Sequence, residues 1–174
     1  MKILAIVDAQ TDFIDGSLAV GLKPWQKAKA AILKLSQTYQ YDWVIFTRDW
    51  HPSNHCSFQP QNGSWPVHCV QKSKGAEIDP ELLKLTQIIP NAQIISKGQD
   101  VNFEEYGVDL LQNFKEVNAS EVDVVGLCFD YCVAECARLT KEKHPEVLVK
   151  IYKSGTVAID KTAQPAVGEA VVIE

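Results

Sequence analysis

The stretch Val122-Asp-Val-Val-Gly-Leu-Cys-Phe-Asp-Tyr-Cys-Val133 decides the fold. Val122 to Val125 run into Gly126 without the alternation of a half-exposed strand, the pattern of a short parallel strand buried on both faces. Beyond the glycine, Val133, Cys136, Ala137 and Thr140 return small and apolar side chains at three- and four-residue steps, as on one face of a helix. Strand, sharp turn and helix in that order expose the residue at the turn. Cys132 then falls at or just before the first helical turn, where free backbone N–H groups and the helix dipole favour a thiolate. A free cysteine is also the most ordinary of small buried hydrophobes, so the stretch by itself leaves both readings open.

Working outward, the same unit repeats along the chain. Lys2 to Val7 makes a first, central strand that delivers Asp8 to its carboxyl end. Ala9 to Leu22 reads as a loop carrying Phe13. From Pro24, placed as the first residue of a helix, Trp25, Ala28, Ile32, Leu35 and Tyr39 share one face. Trp43 to Thr47 is a second strand, and Asp79-Pro80 caps a short helix. Ala92 to Ser96 is a third strand and presents Lys97. Val108 to Phe114 reads as a helix, Val122 to Val125 as the fourth strand and Val147 to Tyr152 as the fifth. A weak helical piece interrupted by Pro165 and Gly168 precedes a sixth strand, Ala170 to Ile173. Alternating strands and helices predict a doubly wound α/β fold, a mostly parallel sheet of about six strands with helices on both faces and right-handed crossovers. A length of 174 residues, 46% of them hydrophobic, suits a single domain over residues 1–174.

The net charge of −5, with no block of Lys and Arg, argues against nucleic acid or an anionic membrane and for a small neutral or weakly charged substrate. The apolar run at the amino end is too short for a signal peptide and no other run approaches a membrane span, so a cytoplasmic protein is expected. Five cysteines, an odd number, then read as thiols, ligands or a nucleophile before they read as disulfides.

Polar chemistry gathers in two ways. Open parallel sheets hold ligands beyond the carboxyl ends of their strands, and Asp8, Lys97 and Cys132 all fall there. Separately, three of the chain's four histidines, His51, His55 and His68, lie within residues 49 to 69 beside Asp49. An Asp-x-His pair with one distant histidine can hold a metal and leave positions open, as a catalytic site requires. Loop histidines bonded to backbone would give the same spacing.

Five separated motifs now occur in one order: Val7-Asp8-Ala-Gln-Thr-Asp-Phe13, Thr47-Arg-Asp49-Trp-His51-Pro-Ser-Asn-His55-Cys-Ser-Phe58, Trp65-Pro-Val-His68-Cys-Val70, Lys97-Gly98 and Gly126-Leu-Cys-Phe-Asp130-Tyr-Cys132-Val133. This set resembles the isochorismatase-like cysteine hydrolases, and within them the metal-dependent nicotinamidase (pyrazinamidase) branch. The resemblance implies Cys132 as nucleophile on the carboxamide of nicotinamide, with Asp8 as general base and then acid. It implies Lys97 as the cation beside both, and an oxyanion hole of the backbone N–H groups of Cys128 and Cys132 behind a non-proline cis peptide at Leu127-Cys128. It implies one divalent metal on Asp49, His51 and His68, zinc first with iron and manganese as alternatives, and His55 as a further ligand or a neighbour of the ligands. Phe13 and Trp65 would sandwich the ring while Tyr106 or Tyr131 closes the pocket. The expected activity is hydrolysis of nicotinamide in NAD salvage, by a monomer or small homo-oligomer. Two alternatives remain at this stage: another small amide or isochorismate-type substrate, since Cys128-Phe129 replaces the small residues common in that turn, and a non-catalytic metal or thiol protein using Cys128, Cys132 and Cys136.

Overall fold

The computed structural model describes residues 1–114 and 118–174. Its elements, in chain order, are β1 (Lys2–Val7), α1 (Thr11–Ile14), α2 (Leu22–Thr38), β2 (Trp43–Asp49), α3 (Pro80–Leu83), β3 (Asn91–Lys97), β4 (Glu121–Leu127), α4 (Ala134–Lys143), β5 (Leu148–Val157) and β6 (Val171–Ile173). The six strands form one sheet in the order β3-β2-β1-β4-β5-β6, and every neighbouring pair is parallel. The direction of winding reverses between β1 and β4, so a crevice opens beyond their carboxyl ends, where Asp8 and the turn after Leu127 lie. On the other side of β1, Asp49 and Lys97 end β2 and β3 as directly paired residues.

The alternation of side chains along β1 builds two cores. Leu4 and Ile6 face the layer of α2, where Trp25, Ala28 and Ile32 pack with Val44 and Phe46 of β2. Ile3, Ala5 and Val7 face the layer of α4, where Val133, Cys136 and Ala137 meet Ile45, Val122 and Val124. Helices therefore cover both faces, and the central strands are buried almost end to end.

Several elements differ from the sequence expectation. Helix α2 starts at Leu22, which puts Pro24 in its third position, and Tyr39 is its C-cap. The first loop contains the four-residue helix α1. Val108 to Phe114 is a pair of tight turns instead of a helix. There the N–H of Leu110 is taken by Thr140 Oγ1 and that of Leu111 by Asp109 Oδ1, each at 2.9 Å, and side-chain acceptors of this kind compete with helical hydrogen bonds. The piece before β6 holds no helix either. Asp130 accepts from the N–H groups of Ile159 and Asp160, and Pro165 has no N–H to offer. β5 runs on to Val157, shifting register opposite Val125.

Ile32 of α2 is fully buried in the core that this helix makes with the sheet. Ile32→Ala should cost about 2–5 kcal/mol through lost burial and an unfilled cavity. A fall in the urea midpoint at unchanged slope would check it.

Candidate active site

Lys97 is the centre of the site. Its side chain is wholly buried, with Nζ 2.8 Å from Asp8 Oδ2, hydrogen-bonded to Asp49 Oδ1 and 3.6 Å from Cys132 Sγ. Burial alone would push the ammonium toward neutrality, but Asp49 and Asp8 outweigh it and raise its pKa well above the ordinary value. Burial raises Asp8, and Lys97 offsets only part of that. Asp49 is held below the usual carboxylate range although burial pushes it up, with the Lys97 ammonium the foremost group acting against burial.

Asp8 is aimed by its backbone and by Thr47. Its φ of +43° lies in the left-handed region, sparsely used by residues with a side chain. Its N–H bonds to Thr47 O and Oγ1, and Thr47 Oγ1 donates to Asp8 Oδ1 at 2.6 Å. That leaves Oδ2 beside Lys97 with no directed hydrogen bond, free to take a proton. Asp8, Asp49 and Cys132 each place one atom within 4.8 Å of the others. Lys97 fills this group with a permanent cation, so it is a proton-transfer cluster before it is a metal site.

Cys132 lies in a wide five-residue turn, Phe129–Val133, immediately before α4. The carbonyl of Cys128 accepts from the N–H groups of Tyr131 and Val133, 3.1 Å each, skipping the N–H of Cys132 between them. The Leu127-Cys128 peptide is cis, and Gly126 adopts φ +115° where a Cβ would run into the Val7 backbone. Burial pushes the Cys132 thiol well up, with Lys97 acting against it. Desolvation therefore favours a thiol at Cys132 over the thiolate expected at a helix start, outweighing both the turn and the ammonium.

The metal-ligand geometry is next to this. Asp49 Oδ2 points at His51 Nε2 (3.5 Å) and His68 Nε2 (3.9 Å), and the three residues have ligand atoms within 4.8 Å of one another. His51 Nδ1 bonds to Gly98 O at 2.8 Å and His68 Nδ1 to Pro66 O at 2.7 Å. A carbonyl can only accept, so Nδ1 carries the proton on both rings and Nε2 offers its lone pair. Buried His51 Nε2 has no hydrogen-bond partner, as a ligand atom would not. Burial lowers the pKa of His68 and keeps that lone pair unprotonated. The donor set of one carboxylate and two imidazoles suits a divalent metal.

His55 does not belong to this set. Its Nε2 lies 3.0 Å from Phe103 O and its Nδ1 2.8 Å from Ser57 Oγ, so both nitrogens are engaged and no lone pair is left. Its ring instead stacks against His51 with centroids 4.1 Å apart.

Asp49, His68, Cys128 and Cys132 open on one pocket walled by Phe13, Trp65, Tyr106 and Tyr131. Trp65 meets Tyr131 edge to face at 5.2 Å and donates its Nε1–H to Tyr106 OH at 3.0 Å. Leu18, Glu104 and Ile159 complete the wall. Phe129 turns to a separate cavity beside Val157 and Val172.

The sequence reading passed over the residues that hold this apparatus. Gln10 clasps the backbone of Asp49, donating to its carbonyl and accepting from its N–H at 2.8 Å each. Asp12 accepts from Cys69 N–H at 2.7 Å and so anchors the His68 loop. The only signal for either was a polar residue inside the motif after Asp8.

The defining pattern of the Isochorismatase domain matches residues 2–166. The chain belongs to the isochorismatase family. Among relatives it is 34% identical over 143 residues to the nicotinamidase/pyrazinamidase of Mycobacterium tuberculosis, covering 79% of this chain and 77% of the relative. Among solved structures it resembles the pyrazinamidase of Pyrococcus horikoshii in complex with zinc, at 33% identity and TM-score 0.73 over 92% of this chain and 88% of the other. PnC1 from L. infantum in complex with nicotinate superposes at TM-score 0.80 with 28% identity, over 92% and 83%. The six-stranded doubly wound sheet is the isochorismatase-like fold of these structures.

Gly98 sits at φ +64° with the His51 ring against its Cα, so a Cβ there would overlap the imidazole. Gly98→Ala should displace a ligand held by a hydrogen bond to this very residue, and weaken metal binding by about 10- to 100-fold. Titration of the folded variant against a chromophoric chelator would measure it.

Proposed function

We propose that this isochorismatase-family chain is a nicotinamidase. It hydrolyses nicotinamide to nicotinate and ammonia through a cysteine thioester, a reaction of NAD salvage. The observation that carries the reading is one buried cluster in which Cys132, Asp8 and Lys97 stand beside the Asp49, His51 and His68 group, with Cys132, Asp49 and His68 lining the pocket. The nicotinamidase and pyrazinamidase relatives support it.

In the proposed course, Cys132 Sγ attacks the carboxamide carbon as its proton passes to Asp8, whose raised pKa makes it a competent acceptor. Lys97 keeps Asp8 and the sulfur in place and limits the charge that builds between them. The oxyanion is received by the backbone N–H groups of Cys128 and Cys132. Asp8 returns its proton to the leaving nitrogen, ammonia departs and a thioester remains. Water activated by Asp8 then releases nicotinate and restores the thiol. Phe13 and Trp65 flank the ring, and Tyr106 and Tyr131 close over it.

Asp49, His51 and His68 would hold a divalent metal, zinc by the borderline character of the donors and by the zinc-bound pyrazinamidase neighbour. When bound, the ion supplies a Lewis-acid anchor for the ring nitrogen. Activity is proposed to reside in one domain, residues 1–174, acting on a small molecule in the cytoplasm. Five unpaired cysteines suit that compartment, and among the described residues no helix is long and apolar enough to cross a membrane.

Ammonia release from nicotinamide, with and without chelator, tests the proposal, and absence of turnover by metal-loaded protein would end it. Cys132→Ala should abolish turnover while leaving folding and metal content intact. Cys136, whose Sγ accepts from the Val108 N–H inside the core, should tolerate Ala with activity retained at a stability cost of about 1–3 kcal/mol. Equal loss in both would remove the assignment. A second outcome concerns the metal: His51→Ala and His68→Ala should each lose the bound ion and raise KM for nicotinamide, read by elemental analysis beside steady-state kinetics.

A further inference from the structure

Beyond β5 the chain is fastened to the turn that carries the nucleophile. Asp130, two residues before Cys132 in the turn Phe129–Val133, accepts from two consecutive backbone N–H groups of the returning segment: Oδ1 from Ile159 at 3.0 Å and Oδ2 from Asp160 at 2.8 Å. A carboxylate that gives one oxygen to each of two neighbouring amides makes a charge-assisted clasp, which fixes orientation as well as position. Asp160 closes the segment on its own side, since its Oδ1 accepts from the N–H of Thr162 at 2.8 Å and from its Oγ1 at 2.7 Å.

The clasp is not needed to shape the turn. The carbonyl of Cys128 already does that by accepting from Tyr131 and Val133. What the clasp does place is Ile159, which lines the same pocket as Cys132. Ile159 is 41% exposed and belongs to neither of the two cores, so apolar packing does not hold it; its own N–H and the next one, both on Asp130, do. A large aliphatic side chain at the rim of a pocket adds little to folding while water covers it. It gains when an apolar surface fills the pocket and that water leaves.

We propose that Asp130 is a positioning residue for substrate selection: it holds Ile159 as an apolar wall at the pocket rim, and the wall favours flat ring amides that present bare C–H edges to it over amides carrying a ring substituent there. The inference rests on the amidase reading and names the part of the pocket that decides among amides. Asp130 lines no part of that pocket and acts through Ile159. Because the clasp starts from the turn that carries Cys132, the wall is placed relative to the nucleophile and not relative to the tail that follows.

The test compares Ile159→Ala, Asp130→Ala and the double variant, on nicotinamide and on ring-methylated nicotinamides, beside the rate at which iodoacetamide alkylates Cys132. Each single variant should raise KM for nicotinamide about tenfold, as a small loss of apolar contact does, with kcat little changed. Each should also shift the ratio of kcat/KM values toward the ring-methylated amides. The double variant should lose no more than the larger single effect, since both changes remove one wall. Alkylation should keep the wild-type rate. Should Asp130→Ala fail to fold by thermal melting, Asp130→Asn, which retains a single acceptor oxygen, takes its place with the same expected direction. Unchanged KM and selectivity in Ile159→Ala would overturn the proposal. So would losses that multiply in the double variant, or an Asp130 variant that loses kcat or thiol reactivity at unchanged selectivity. The amidase reading fails separately, by absence of nicotinamide turnover in the zinc-loaded wild-type protein.

Discussion

The buried ammonium of Lys97 is the constraint on which the site depends. A lysine with no exposed surface is tolerated only when its charge is met at close range, because removing an ion from water costs several kcal/mol even after relaxation. Asp8 and Asp49 meet it, and both reach it because parallel register brings the ends of β1, β2 and β3 to one level. The cluster of two carboxylates and one ammonium already carries an excess negative charge. A resting thiolate on Cys132 would add another in a buried site, which is the physical reason its pKa is pushed up. In the proposed reaction, activation of Cys132 is therefore coupled to proton transfer, and Asp8, with its Oδ1 fixed by Thr47, has the free oxygen for it.

Asp49 joins the two halves of the site. One of its oxygens bonds to Lys97 and the other faces the two imidazoles. A cation placed against His51 and His68 draws on the same carboxylate that neutralises Lys97, so that position and the thiol are electrically linked through Asp49. The Gln10 clasp on the Asp49 backbone is the mechanical counterpart, since it lets neither oxygen be gained by swinging the strand end.

Much of this was legible in the sequence, for definite reasons. Central parallel strands advertise themselves as unbroken apolar runs, and whatever follows such a run stands at the carboxyl edge of the sheet. That rule placed Asp8, Lys97 and the Cys128–Cys132 turn before any coordinates. The motif order named Asp49, His51 and His68, which the structure brings together as a candidate metal group. What escaped depends on contacts between distant segments. Thr47 looks like one more strand residue until Asp8 is opposite it, and Glu104 is one of two adjacent carboxylates in a loop without periodicity. Val108 to Phe114 has helical spacing, yet its amides are claimed by Asp109 and by Thr140, 30 residues away from Leu110. His55 has the spacing of a ligand, and only the positions of Ser57 and Phe103 show that both its nitrogens are committed.

The shared carboxylate also bears on which molecules fit. Since Asp49 touches Lys97 with one oxygen and faces the histidines with the other, the sulfur beside Lys97 and the candidate metal position lie on two sides of a single side chain. Aromatic walls on Phe13, Trp65 and Tyr131 admit a flat body between the two ends. A substrate must then present an electrophilic carbon at one end and a lone pair at the other, across a rigid spacer of one length. A ring amide with its nitrogen meta to the carboxamide, as in nicotinamide, meets that demand. A flexible chain amide would lose rotational freedom to do so, and an amide lacking the lone pair would leave the metal end unanswered. Selectivity thus follows from the same buried ion cluster that activates the thiol, with the pocket walls filling the space it defines.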